Sequence, residues 1–379
     1  MAMRTLVIGG TGPTGPFIVN GLRERSHDVT IFHRGTHEID EIPGDVAHIH
    51  GDPHFSETIE DALAGHEFDL VVATYGRIRL IAEALAGRVG RFVSVGGYAV
   101  YHGFSNPRVL HPAGLTAPVP EDAPLAEDET EERFSTLIAR TEAAVFRHHP
   151  AATHFRYPYV YGAYQLVPRE WSIVRRVLDG RTRMLLADGG TNLSTHGWAG
   201  NLARAVLLAV DQPAVSAGKA YNCGDLDQLS VRQIIEVVAD ALGATMETVP
   251  VPWEVAGPAK VTSVGGRFHQ LMDLTRLRAD LGYRDLLPAT EALARTARWY
   301  AEHRPDTSVE QRLGDPFDYA WEDRMMDHAA VSLAAWREVA DAGRPSAGER
   351  QRTSSGRAFA PHPYAHPKDA NATTDHRGR

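Results

Sequence analysis

Short runs of aliphatic and β-branched residues recur through the first 160 positions, and the stretches between them place apolar residues three and four apart. Leu6 to Ile8, Asp28 to Phe32, Val46 to His50, Asp69 to Ala73 and Arg91 to Val95 have the length and content of strands buried on both faces. Phe17, Ile18 and Leu22, and later Ile78, Leu80, Ile81, Ala84 and Leu85, fall on one side of a helix. The alternation predicts an α/β chain whose doubly wound parallel sheet is joined by right-handed crossovers. A sixth strand is expected between Pro150 and Tyr161. Its Tyr157, Tyr159 and Tyr161 alternate at period two and are predicted to share one face, as core packing or as a substrate wall.

The later pattern is helical. Ser230-Val-Arg-Gln233 reads as a capping box before Ile234, Ile235, Val238 and Leu242. Asp273 is placed to cap a helix bearing Leu274, Leu277 and Leu281 that Gly282 ends, and Thr290 to His303 forms another. Phe317, Tyr319, Trp321, Met325, Met326, Val331, Leu333, Trp336 and Val339 predict a helical extension over 304–342, which packs back on the preceding lobe or meets a second copy in a homodimer. Residues 343–379 are rich in Gly, Pro, Ser, Thr, Arg and His and poor in aliphatics, the composition of a solvated tail. The tail's His362, His366 and His376 lack the spacing of ligands on a scaffold, and no metal site is expected.

The strongest local signal joins the first strand to the first helix. Gly9, Gly12 and Gly15 recur every third residue, with Thr11, Pro13 and Thr14 between them, and the prolines stay within the first helical turn. Such a turn lets the backbone approach a pyrophosphate, whose charge then faces the free N–H groups of the helix. At the end of the second strand, where an acidic side chain would select a free ribose hydroxyl, stands Arg34, which favours a 2′-phosphate. The expected cofactor is therefore NADP in preference to NAD. Asp52 is placed to accept from an adenine amino group, and Thr74 and Tyr75 lie where the chain passes beneath the cofactor.

Composition narrows the class. The chain has 379 residues, a net charge of -9 without charged blocks, and one cysteine, Cys223, in an apolar run. No nucleic-acid surface, disulfide, membrane span or signal peptide is expected, which suits a cytoplasmic protein with a small-molecule substrate.

The ordered set formed by the glycine turn, Gly51-Asp52, Val100-Tyr101, Arg156-Tyr-Pro-Tyr-Val-Tyr-Gly162, Asn201-Leu-Ala-Arg-Ala205, Ala220-Tyr-Asn222, Leu281-Gly-Tyr283 and Trp299 resembles an extended short-chain dehydrogenase/reductase of the NAD-dependent epimerase/dehydratase type. The resemblance covers about residues 4–303. It implies a Rossmann core over 1–160 and a smaller C-terminal substrate lobe over 161–303 that returns elements to the core. It also implies that Tyr157 lies beside the cofactor, and that Gly97, Tyr101, Tyr159, His196 and Trp198 lie near the substrate.

The departures from that pattern bear on the chemistry. The family's catalytic Ser or Thr aligns with Gly97, its tyrosine with Phe134 and its lysine with Ile138, and no Tyr-x-x-x-Lys occurs in the chain. Phenylalanine and isoleucine cannot move a proton, so another group must do so if the protein is a reductase or epimerase. Tyr98 and His196 are the first candidates, and Tyr101 and His102 the next. A nucleotide-binding sensor without redox chemistry, or a lyase or dehydratase using the same pocket, are the alternatives.

Overall fold

The computed structural model describes residues 2–36, 38–259 and 266–343. Seven parallel strands form the main sheet in the order β3, β2, β1, β4, β5, β6, β10, with β1 at Arg4–Ile8, β2 at Asp28–His33, β3 at Ala47–His50, β4 at Phe68–Ala73, β5 at Val89–Gly97, β6 at Thr153–Tyr157 and β10 at Lys219–Asn222. The strand pleat divides each strand's side chains between two cores. Val7 joins Ile18, Leu22, Ile31, Val72 and Val206 on one face. Leu6 and Ile8 join Phe32, Val71, Ile81 and Phe92 on the other. The predicted doubly wound parallel sheet is thus present, and β10 is contributed by the second half of the chain.

The shorter strands are β7 at Tyr159–Tyr161, β8 at Arg183–Ala187, β9 at His196–Trp198 and β11 at Glu247–Val251, paired as β7 with β9 and β8 with β11. Around them Trp171, Val174, Met184, Leu186, Ile234, Ile235 and Val238 build a second core. The predicted capping box at Ser230 and Gln233 is formed. Gly282 ends its helix with φ of 64°, as expected, although Leu274 rather than Asp273 takes the position before the helix; the Asp273 carboxylate accepts from Thr275 N–H at 2.8 Å.

One expectation fails. Pro158 divides the sixth strand, so Tyr157, Tyr159 and Tyr161 do not share a face. Tyr157 packs in the first core, Tyr161 in the second, and Tyr159 against Tyr98. Proline withholds a ladder N–H and lets the chain change sheets between two tyrosines.

The C-terminal extension is two helices, Thr307–Leu313 and Tyr319–Ala342. Fully buried Arg176 anchors the link between them, donating to Asp315 at 2.7 Å and to Glu322. From Asp323 onward the chain forms a separate unit, in which Val331, Leu333, Trp336 and Val339 are exposed. The expected solvated tail lies outside the described residues from 344. Among the described helices, none is long and apolar enough to cross a membrane.

Candidate active site and dinucleotide cleft

The sheet changes its winding direction between β1 and β4, and an open α/β sheet binds ligands in the crevice outside such strand ends. The three glycines there answer to three different constraints. Gly9 leaves β1 with φ of 90°, and a Cβ on it would stand 2.3 Å from Tyr75 Cβ. A Cβ on Gly15 would stand 1.9 Å from the Gly10 carbonyl oxygen, so glycine lets the helix Gly15–Glu24 sit down on the turn. At Gly12 a Cβ would meet only the Gly9 carbonyl oxygen, at an ordinary 3.6 Å. The polypeptide itself does not require glycine at this position. The space kept open faces a cleft at a helix N-terminus, which fits a pyrophosphate.

That cleft encloses about 1110 Å³ and is lined by every cofactor residue expected from the sequence except Gly15, namely Gly9, Thr11, Gly12, Pro13, Thr14, Arg34, Asp52, Thr74, Tyr75 and Tyr157. Thr74 Oγ1 donates to the Ile8 carbonyl at 3.0 Å and ties the ends of β4 and β1 together. The Asp52 carboxyl is pushed up by burial, but the imidazole and backbone N–H of His54, at 2.8 and 3.0 Å, outweigh this and hold it below the usual range. Arg34 is exposed and donates weakly to the Tyr75 hydroxyl at 3.4 Å, so its guanidinium is available to a ligand phosphate. The same cleft is lined by Trp299, whose place in the family pattern carried no cofactor role, and by His303, Arg304 and Arg312, which no motif announced. Replacement Arg34→Ala is expected to weaken NADPH binding about tenfold or more and NADH binding little, because only the former brings a charge-assisted pair. Equal losses for the two cofactors in fluorescence titrations would remove Arg34 from that role.

At the carboxyl end of β5 the register of the helix Glu129–His148 is fixed by a buried bidentate pair. Arg156 donates to Glu142 at 2.9 and 2.7 Å. One turn earlier, Ile138 Cδ1 lies 3.6 Å from where a Gly97 Cβ would stand, and Phe134 is largely exposed another turn back. Beside this apolar pair Tyr98 and Tyr159 pack edge to face with centroids 5.5 Å apart, and both hydroxyls point to Gln270 Oε1, at 3.5 and 3.4 Å. Arg169 lies 3.4 Å over the Tyr159 ring, and the His196 ring is 5.4 Å from it. Gly97, Tyr98, Tyr159 and His196 are therefore brought together, with Gln270 and Arg169 as partners that no sequence motif announced.

Two expected substrate residues lie elsewhere. The Tyr101 hydroxyl donates to Asn222 at 2.6 Å and accepts from Arg156 at 2.7 Å, a buried framework contact. Trp198 packs edge-on against Phe17 and lines a different cleft, beside Asn20 and Arg295. In both cases an aromatic residue near the family's substrate region is used to join elements. His102 gains a partner instead: its Nδ1–H donates to Glu132 at 2.6 Å, and that carboxylate, fully buried, also accepts from Gly103 N–H at 2.7 Å. Glu132 occupies a non-helical break within its helix, which turns the carboxylate toward the chain leaving β5.

Next to Arg169, burial pushes the Glu170 carboxyl up to about 7. Because the folded value exceeds the unfolded one, about 4.3, the folded state holds a proton that the unfolded state has lost between these values. The stability associated with this proton is complete below the lower value and is lost as pH rises through about 7. Glu170→Gln is accordingly expected to flatten the fall in Tm between about pH 5 and about pH 8, a range that spans the folded value; an unchanged slope in thermal melts would show that the carboxylate is solvated.

Comparison with known proteins agrees with this geometry. A family model described as NAD(P)H-binding matches residues 9–136. A 2-alkyl-3-oxoalkanoate reductase of Stenotrophomonas maltophilia is 27% identical over 355 residues, which span 82% of this chain and 97% of that protein. A UDP-glucose 4-epimerase of Corynebacterium glutamicum is 26% identical over 316 residues, 74% of this chain and 92% of the epimerase. Among solved structures, the UDP-glucose 4-epimerase of Thermotoga maritima with UDP-glucose superimposes with a TM-score of 0.64 at 17% identity, over 80% of this chain and 100% of that one. The dTDP-glucose 4,6-dehydratase of Bacillus anthracis in complex with NAD gives 0.61 at 17% identity, over 82% and 100%. Residues 9–136 thus form an NAD(P)H-binding domain, and the chain as a whole is similar in sequence to a reductase and an epimerase and shares the fold of sugar-nucleotide epimerases and dehydratases.

Proposed function

We propose that the protein is an NADP(H)-preferring oxidoreductase or epimerase that acts on a carbonyl or hydroxyl group of a small organic compound without the Ser-Tyr-Lys set of its relatives. The observation that carries this reading is the juxtaposition at the end of β5: Gly97 and Ile138 leave an apolar floor, and polar side chains of Tyr98, Tyr159, Gln270 and His196 stand at its edge. When bound, a nicotinamide cofactor supplies or withdraws the hydride. Gly12 and the first helix would hold its pyrophosphate, Arg34 its adenosine end, and Thr74, Tyr75 and Tyr157 its length.

The proton belongs to the protein. Burial raises the Tyr98 phenol well above its usual value, so Tyr98 stays protonated at neutral pH and can donate to a carbonyl oxygen but not act as a base. Gln270 and Tyr159 orient that hydroxyl. The His102 and Glu132 pair supports a second reading, since a buried carboxylate that accepts from Nδ1 fixes the ring's orientation and leaves Nε2 facing away from it. The similarity to an oxoalkanoate reductase and to sugar-nucleotide epimerases makes 3-oxo acids and nucleotide sugars the two substrate classes to try first. Loss of nicotinamide absorbance on mixing NADPH with members of either class tests the reading. If a cofactor binds but no member of either class oxidises it, or is epimerised in its presence, the sensor alternative replaces it.

A further inference from the structure

The edge of the main sheet carries a cluster of which His33 borders the dinucleotide cleft and the other three members, Glu38, His48 and His50, lie outside its lining. β2 and β3 pair in parallel, with His33 opposite His50 and Ile31 opposite His48. His48 and His50 are two residues apart on one strand, so both point to the same face, and the register puts His33 on that face between them. Glu38, in the loop after β2, closes over the group. One ligand atom from each of these four residues lies within 4.8 Å of all the others. His33 Nε2 is 2.9 Å from His48 Nδ1, and the Glu38 carboxylate is 3.5 Å from the first and 3.6 Å from the second.

Those separations are close to what one ion needs. Four ligands about 2.0–2.1 Å from a tetrahedral centre stand about 3.3 Å apart, so the two carboxylate gaps need little change, the imidazole pair opens by roughly 0.4 Å, and His50, within 4.8 Å of the others, closes by up to roughly 1.5 Å. In the empty cluster one imidazole must donate to the other. On binding, the donor ring changes tautomer, giving its near proton to solvent and taking one on its far nitrogen, so that both near lone pairs turn to the metal and each ring still carries one proton. His33 is buried while Glu38 is half exposed, which provides a rigid inner ligand and an entry path. Three imidazoles and one carboxylate suit a first-row divalent ion of the zinc type and not calcium or magnesium, which take oxygen ligands.

We propose that His33, Glu38, His48 and His50 form a zinc-type metal site at the β2 and β3 edge, separate from the proton-transfer groups. The ion joins the two outermost strands to the loop that follows Arg34. The sequence hid this site because its ligands come from two strands and a loop. Its signal is a period-two His-x-His on an edge strand, combined with a histidine that ends the neighbouring strand.

The test is zinc competition between the full-length protein and a chromogenic chelator, followed by the visible spectrum after Co2+ is substituted. The parent chain should withhold one equivalent of zinc and give the intense visible band of four-coordinate cobalt. The double variant His48→Ala, His50→Ala should bind at least tenfold more weakly and lose that band. Replacing His362, His366 and His376 by alanine should change neither readout, which separates the site from the histidines of the C-terminal segment. If the double variant does not fold, Glu38→Gln on the exposed loop should weaken zinc severalfold and shift the cobalt band. No zinc withheld by the parent, or undiminished affinity in the double variant or in Glu38→Gln, overturns the proposal.

Discussion

Gly12→Val should abolish binding of both NADPH and NADH, by at least ~100-fold, while thermal unfolding stays cooperative and close to that of the parent. The expectation rests on what surrounds the glycine. A Cβ on Gly12 has only an ordinary contact with the protein, 3.6 Å from the Gly9 carbonyl, so the first atom of a valine is accommodated and its branches extend into the cleft. The same kind of substitution at Gly15 should behave in the opposite way. Gly15→Ala drives its methyl to 1.9 Å from the Gly10 carbonyl, and it should cost stability by about 1–3 kcal/mol or more whether or not a cofactor is present. Paired cofactor titrations and melts of the two variants separate ligand space from packing space. If Gly12→Val retains the cofactor, the glycine turn serves packing alone, and the assignment of the cleft falls with it.

The difference between these glycines also marks how far the sequence could be read. The order of strands and helices in the first half was legible because a doubly wound sheet buries both faces, so each strand appears as a continuous apolar run, and each crossover as a helical period. The glycine turn and Arg34 were legible because the chemistry is local: every residue it needs lies within a strand and the turn after it. The surroundings of Tyr98 were not. Gln270 reaches that hydroxyl from a part of the chain with no periodic pattern, and Arg169 stacks on Tyr159 from a loop. The three tyrosines misled for a related reason, since period two was read across Pro158 as if the strand continued. Trp299, His303, Arg304 and Arg312 likewise reach the dinucleotide cleft only because the end of the helix Ala289–Glu302, the turn after it and the helix Thr307–Leu313 fold against it. Contacts of that separation leave no mark in local periodicity.

Tyr98→Phe should lower turnover by about 10²–10⁴-fold with KM and cofactor affinity little changed, the loss normally seen when a positioned general acid is removed. The substitution deletes one oxygen and keeps the ring, so the edge-to-face contacts with Phe104 and Tyr159, at 4.8 and 5.5 Å, survive and the fold should too. Because burial holds the phenol well above its ordinary value, the reduction rate through Tyr98 should be flat from pH 6 to pH 9, with all of the donor protonated. A profile that bends in this range points to an imidazole. Turnover within a factor of two of the parent would exclude Tyr98, and the two histidines then separate cleanly. His102→Gln breaks the 2.6 Å contact with Glu132, and His196→Ala removes the ring that faces Tyr159. A large kcat loss in one of them, with KM unchanged, identifies the relocated acid; silence in all three assigns the proton to another group, and a parent that binds nicotinamide cofactor without any turnover is a cofactor-binding sensor.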